Sequence, residues 1–285
     1  MNVTLTNTTQ KLCVIGDPVT HSKSPLLHNT MCQALGLDYL YLCQTVKPDG
    51  LAGFLAGAKA LGYAGFNATM PFKELLLPHL DELDPLASTL GAVNTVCIRN
   101  GKLYGYNTDC PGYVAALRHR GFDPAGKRAV LLGAGGAAKA VALGLCEAGA
   151  EVSVLNRTPD RAQAVAALCP GQAVALPWTG DTLTQVLPRA DLLVNATSLG
   201  MAGQGQFENF DFLELLPETC LVSDLIYHPA PTELLSRAAT RGLATMDGFP
   251  LLIHQAILAL EHFTGQAIPV DAVLPSLERA VGAQG

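Results

Sequence analysis

The segment from Arg128 to Ala162 constrains the fold most, because it reads as a strand, a glycine turn, a helix and a second strand in immediate succession. Ala129 to Leu132 is a short apolar run that stops at glycine, the pattern of a strand buried on both faces. Gly133-Ala134-Gly135-Gly136-Ala137-Ala138 follows and fits G-x-G-x-x-G/A, with alanine in the third small position. Gly133 serves the tight turn, Gly135 lets a pyrophosphate approach the backbone, and Ala138 lets the helix pack close to the sheet. The helix is predicted to run through Lys139 to Ala148 and to stop at Gly149. Its N-terminal amides and dipole suit phosphate groups. An ordinary Gly/Ala-rich helix start shares the motif but lacks the strands on either side.

The second strand, Val152 to Leu155, does not end in the acid that accepts hydrogen bonds from the ribose 2′-hydroxyl of NAD. It ends in Asn156-Arg157-Thr158, with Arg161 one turn further on. A carboxylate there repels a 2′-phosphate, whereas a guanidinium pairs with it. The cofactor predicted from these residues is NADP.

Composition narrows the class without adding a site. At 285 residues, 49% hydrophobic and 15% charged with net charge −6, the chain is expected to form two compact, mildly acidic domains. Its 18 Lys and Arg are scattered, which argues against nucleic acid as a partner. Met1 to Gln10 is polar and carries no signal pattern, and the most apolar segments are broken too soon for a membrane span, so a cytoplasmic location is expected. The eight cysteines form no C-x-x-C pair, as expected of reduced core thiols rather than a disulfide frame or a zinc site. Monomer and homodimer both stay open.

Before the cofactor unit, short apolar strands deliver polar loops again and again. Lys11 to Ile15 leads through Gly16-Asp17-Pro18 to Ser22-Lys23-Ser24-Pro25, where Pro25 can open a helix. Two serines at a helix start suit a carboxylate, or one of them simply caps the helix. Ala64 to Ala68 leads into Asn67-Ala68-Thr69-Met70-Pro71-Phe72-Lys73. Gly91-Ala92-Val93-Asn94-Thr95 precedes the strand Val96 to Arg99, Asn100-Gly101 makes a hairpin turn, and the arm Leu103 to Tyr106 ends in Asn107-Thr108-Asp109 before a helix from Pro111. Such strand ends suit a small, hydroxyl-rich ligand beyond the carboxyl edge of an α/β sheet. Turn preference alone explains the Asn, Thr and Gly, and it explains Lys73 and Asp109 less well. After the cofactor unit, a strand Ala190 to Val194 ends in Asn195-Ala196-Thr197, and Leu221 to Ile226 ends at Tyr227. An amphipathic helix from Pro250 to Phe263 is interrupted by Gln255, which either faces solvent or points to a ligand.

Taken in order along nearly the whole length, these motifs resemble those of the shikimate dehydrogenase family. The resemblance implies an α/β, two-domain fold. An N-terminal α/β substrate domain, residues 1–109 with 250–285, accompanies an NADP-binding Rossmann domain, residues 110–249, with the active site in the interdomain cleft. It implies NADPH-dependent, reversible reduction of 3-dehydroshikimate to shikimate on the route to aromatic amino acids. By the same likeness Lys73 and Asp109 are the catalytic pair, Ser22 and Ser24 hold the substrate carboxylate, and Asn67, Thr69, Asn94, Tyr227 and Gln255 surround the ring. Gly133, Ala134, Gly135, Gly136, Ala137, Asn156, Arg157, Thr158, Arg161, Thr197, Leu225 and Gly248 would hold the cofactor, and no metal is implied. The rival of the same fold is a quinate/shikimate or aminoshikimate dehydrogenase. A catalytically silent NADP-binding regulator is more remote, since both Lys73 and Asp109 are retained. Two departures stand out: Cys110 replaces the family's glycine after Asn-Thr-Asp, which would restrict the backbone there, and Ala68 replaces valine.

Overall fold

A computed structural model describes residues 5–282; Met1 to Thr4 of the polar N-terminal stretch and residues 283–285 lie outside the described residues. The chain divides into two compact units, Met1–Thr108 with Ile253–Gly285, and Asp109–Leu252.

The first unit begins with β1 (Gln10–Gly16), α1 (Ser24–Leu35), β2 (Tyr39–Thr45), α2 (Leu51–Ala60) and β3 (Tyr63–Ala68). It continues with α3 (Phe72–Leu75), β4 (Glu82–Leu83), α4 (Pro85–Leu90), β5 (Thr95–Arg99) and β6 (Lys102–Tyr106). The sheet order is β2-β1-β3-β5-β6-β4. β1 pairs in parallel with β2 and β3, while β5 runs antiparallel to both β3 and β6. Asn100 and Gly101 take φ of 52° and 75°, the paired left-handed residues of a tight two-residue hairpin. Buried Phe66, Phe72, Leu76, Val96 and Leu103 form the core on which these strands rest.

Strand register decides where the polar strand ends go. Ile15 pairs with Ala68, Asn67 with Thr95, and Thr95 with Tyr106. The carboxyl ends of β1, β3 and β6 and the start of β5 therefore gather at one end of the sheet.

The second unit comprises α5 (Asp109–His119), β7 (Arg128–Leu132), α6 (Gly136–Glu147), β8 (Glu151–Asn156), α7 (Pro159–Ala166) and β9 (Ala173–Pro177). Then come α8 (Gly180–Val186), β10 (Leu192–Asn195), β11 (Leu221–Asp224), α9 (Glu233–Thr240) and β12 (Ala244–Met246). All pairings are parallel, in the order β12-β11-β10-β7-β8-β9. The chain winds outward from β7 to β9, returns to β10 and winds the other way, so the switch between β7 and β10 is that of a dinucleotide-binding sheet. α10 (Phe249–Thr264) leads from this unit into the first, where α11 (Val270–Gly282) packs on α1.

Several elements differ from the sequence reading. The helix expected from Pro111 starts at Asp109. The strand expected to reach Ile226 ends at Asp224, whose own carboxylate accepts the Ile226 amide at 3.1 Å and turns the chain. Edge strands β9 and β12 were not anticipated; residues 173–177 include no buried side chain, so no hydrophobic alternation announces them. Among the described residues the eight cysteines are free thiols, seven of them buried, and no helix is long and apolar enough to cross a membrane.

Candidate active site

The cofactor turn is built by the ends of β7 and α6. Gly133 has φ of 106°, and a Cβ there would lie 2.9 Å from Ala196 O and from Thr197 Cγ2. Only glycine satisfies both the backbone conformation and the close approach of the loop after β10. A Cβ on Gly135 or Gly136 would meet nothing within 4 Å, so the outer side of the turn is open. Gly135 is the extended N-cap of α6 and no side chain caps that helix. Ala138 is fully buried, as close packing of helix on sheet requires. An open backbone turn ahead of a twelve-residue helix fits the pyrophosphate of a dinucleotide.

At the tip of β8, Asn156 Nδ2 donates to Thr158 O at 3.0 Å, and Thr158 is the extended N-cap of α7. Arg157 and Arg161 are exposed. Arg157 also lines a cavity of about 610 Å³ together with Trp178, Thr179, Leu199 and Phe207. Leu199 lies in the loop after Asn195 that the sequence places beside the cofactor, whereas Trp178, Thr179 and Phe207 were missed. Trp178, the only tryptophan of the chain, follows β9 directly, and the tip of that unrecognised strand was the available signal.

The loop after β10 is held by buried polar groups. Asn195 Nδ2 donates to Asp224 Oδ1 at 3.0 Å and to Leu199 O at 3.1 Å, while its Oδ1 accepts Thr197 Oγ1 at 2.7 Å and Thr197 N at 3.0 Å. Asp224 Oδ2 accepts Thr232 Oγ1 at 2.8 Å. Burial raises the Asp224 carboxyl above the ordinary carboxylate range, opposed by the hydrogen bonds from Ile226, Thr232 and Asn195. Leu225 N donates to Asn195 O at 3.0 Å, and a Cβ at Gly248 would overlap Leu225 O. Thr197, Leu225 and Gly248 thus belong to one hydrogen-bonded cluster of loops, within which a Cβ at Gly248 has no room. Tyr227 lies next to it in the chain and is exposed.

In the first unit, Ser22 and Ser24 flank the N-cap Lys23 of α1, whose side chain makes no capping bond. Ser22 Oγ accepts the Ser24 amide at 3.2 Å, so the capping alternative holds in part for Ser22. Asn67 is buried at the end of β3: Nδ2 donates to Asn94 O at 3.0 Å and to Thr95 Oγ1 at 2.9 Å, and Oδ1 accepts the Tyr41 hydroxyl at 2.6 Å. Asn94 Oδ1 accepts Thr108 N at 2.9 Å, and Asn94 Nδ2 donates to Thr108 Oγ1 at 3.0 Å. Half-buried Thr69 donates its amide to Ile15 O, which ties the ends of β1 and β3 together. Lys73 sits half-buried in α3, with Lys73 O accepting Val93 N at 2.8 Å. Gln255 is half-buried in α10. The structure therefore brings Asn67, Asn94 and Thr108 into one network and ties Thr69 to the same sheet end. Asp109, Tyr227 and the cofactor residues belong to the second unit.

Cys110 does not need the freedom of glycine. It is fully buried in the first turn of α5, where the backbone is not left-handed, and its thiol donates to Ala140 O at 3.0 Å. The restriction expected from cysteine falls on a backbone that is already helical. The close contact is met instead on α6, where a Cβ at Gly144 would lie 2.6 Å from Cys110 O.

Comparison with known proteins matches the same two units. Residues 14–96 match the family model for the shikimate dehydrogenase substrate binding domain, and residues 116–202 match that for shikimate / quinate 5-dehydrogenase. The chain is 43% identical over 281 residues to a shikimate dehydrogenase (NADP(+)) of Moorella thermoacetica, covering 95% of this chain and 94% of the relative. It superimposes on shikimate 5-dehydrogenase from Listeria monocytogenes, solved with shikimate and NAD, with a TM-score of 0.89 at 32% identity, covering 97% and 99% of the two chains. The Thermus thermophilus shikimate 5-dehydrogenase, solved with NADP(H) and shikimate, gives a TM-score of 0.82 at 38% identity, covering 95% and 99%.

Proposed function

The chain belongs to the shikimate dehydrogenase family, and from that premise we propose that it catalyses the reversible, NADPH-dependent reduction of 3-dehydroshikimate to shikimate. The observation that carries the reading is identity of 43% sustained over 95% of the chain with an NADP-linked relative. The open turn Gly133–Ala137 and the exposed Arg157 support NADP. The main-chain amides of the turn would take the pyrophosphate, Asn156, Arg157, Thr158 and Arg161 the 2′-phosphate end, and Thr197, Leu225 and Gly248 the rest of the dinucleotide. When bound, NADPH supplies the hydride.

The protein's own residues supply orientation and the proton. Ser22 and Ser24 hold the substrate carboxylate; Asn67, Thr69, Asn94, Tyr227 and Gln255 fix the ring. Lys73 Nζ donates a proton to the carbonyl oxygen as that oxygen becomes a hydroxyl, and takes it back in the oxidative direction. Asp109 is the carboxylate member of the proposed catalytic pair. The protein works on this small molecule in the cytoplasm, as a monomer or homodimer, without nucleic acid or membrane partners.

Steady-state kinetics of Lys73→Ala test the assignment. The expected outcome is a fall in kcat of about 10²–10⁴-fold, the range of general acid–base catalysis, with the Kd for NADP(H) unchanged. Equal losses in rate and cofactor affinity would put Lys73 in a structural role.

A further inference from the structure

The geometry points to Tyr41 as a positioning residue of this reaction: its hydroxyl, held from α1, fixes the Asn67 carboxamide so that only an acceptor is left for the substrate. The inference rests on the reading of Asn67 as a substrate residue.

The direction of each hydrogen bond follows from the groups involved. Asn94 O is a carbonyl and can only accept, so the Asn67 atom 3.0 Å from it is the amide nitrogen. The second hydrogen of that nitrogen goes to Thr95 Oγ1 at 2.9 Å. Thr95 in turn passes its own hydrogen to Asn94 Oδ1, also at 2.9 Å. Asn67 therefore has no donor left, and the atom that faces Tyr41 is its oxygen. At 2.6 Å the phenol must donate. What remains is one lone pair on Asn67 Oδ1, suited to a substrate hydroxyl that donates.

Tyr41 is equipped to hold this arrangement. It is 1% exposed and sits on β2 opposite Leu12 of β1, while Asn67 lies opposite Val14, so the phenol spans β1 to reach β3. Asn29 clamps its backbone from both sides, donating Nδ2 to Tyr41 O and accepting Tyr41 N, each at 2.9 Å. The His28 ring lies parallel to the phenol, with centroids 4.1 Å apart and an interplanar angle of 3°. Burial lowers the His28 pKa to about 3, so the stack joins two neutral rings at any working pH. His28 and Asn29 are one turn beyond Ser24 on α1. One phenol thus joins the helix that begins at the carboxylate serines to the strand that carries Asn67.

Tyr41→Phe keeps the ring, the stack and the backbone clamp and removes the hydroxyl, with its bond to Asn67 and its side-chain interaction with Ser24. With NADP+ saturating and shikimate varied, we expect KM for shikimate to rise about tenfold, the scale of one lost buried hydrogen bond. The NADP(H) Kd should stay within about twofold. A lowered melting temperature with unchanged KM and kcat would make Tyr41 merely structural and overturn the proposal, as would unchanged stability and kinetics together. Should Tyr41→Phe fail to fold, Asn29→Ala, which frees the backbone but keeps the hydroxyl, is expected to raise KM about two- to fivefold; no change overturns the idea. If the parent protein itself binds NADP but does not turn over shikimate, the functional reading fails instead, before the variant is considered.

Discussion

At the scale of single residues, burial makes His28 a source of acid sensitivity. Its pKa is about 3 in the fold against an ordinary 6.5, and its Nδ1 has no hydrogen-bond partner among the described residues. Between those values the unfolded chain binds a proton that the folded chain does not, so stability falls as pH drops through that window and is fully present above it. His28→Phe keeps an aromatic ring beneath Tyr41 and removes the titration. Urea unfolding should show the parent losing about 2–3 kcal/mol more than the variant between about pH 6.5 and about pH 4.5. Equal losses would mean that the imidazole is not desolvated. Arg157 presents the opposite case, an exposed cation without a carboxylate at the strand tip. Arg157→Ala should weaken NADP(H) by about 1.5–3 kcal/mol, as for a lost charge-assisted hydrogen bond, and leave NAD(H) binding unchanged; a titration in which both cofactors weaken alike would remove the 2′-phosphate from this residue.

Among elements, α5 and α6 show how a glycine can set a helix contact. Gly144 on α6 faces Cys110 O of α5, and its missing Cβ lets the two approach. Gly144→Val should force them apart and cost about 1–3 kcal/mol in urea unfolding, the range for overpacking a tight site; parent-like stability would contradict this contact. The motif-bearing elements were legible in the sequence for a physical reason. β7, α6 and β8 combine an apolar run, obligatory small residues and a polar tip, and each is set by local chemistry. β9 and β12 were not legible, because edge strands with few buried side chains need no alternating pattern. The Tyr41–Asn67 bond also escaped sequence reasoning. It joins residues 26 apart across an intervening strand, and only the pairing register shows that they meet. Asn67 itself was visible as a polar residue at a strand end, but the commitment of both its amide hydrogens to Asn94 and Thr95 was not.

For the whole molecule, the proposed site residues fall in two stretches of the chain. The first unit carries Ser22, Ser24, Asn67, Thr69, Lys73, Asn94 and Gln255, while the second carries the glycine turn, Arg157, Asp109 and Tyr227. Resemblance over nearly the full length makes this division readable in the order of the motifs, whereas composition alone reaches no further than compact, mildly acidic domains. The measurement that bears most directly on the whole account is initial-rate oxidation by the purified protein, followed by nicotinamide absorbance, with shikimate and with quinate, each paired with NADP+ and with NAD+. Shikimate with NADP+ is expected to give the highest kcat/KM. Preference for quinate with NAD+, or tight NADP+ binding without turnover of shikimate, would contradict it.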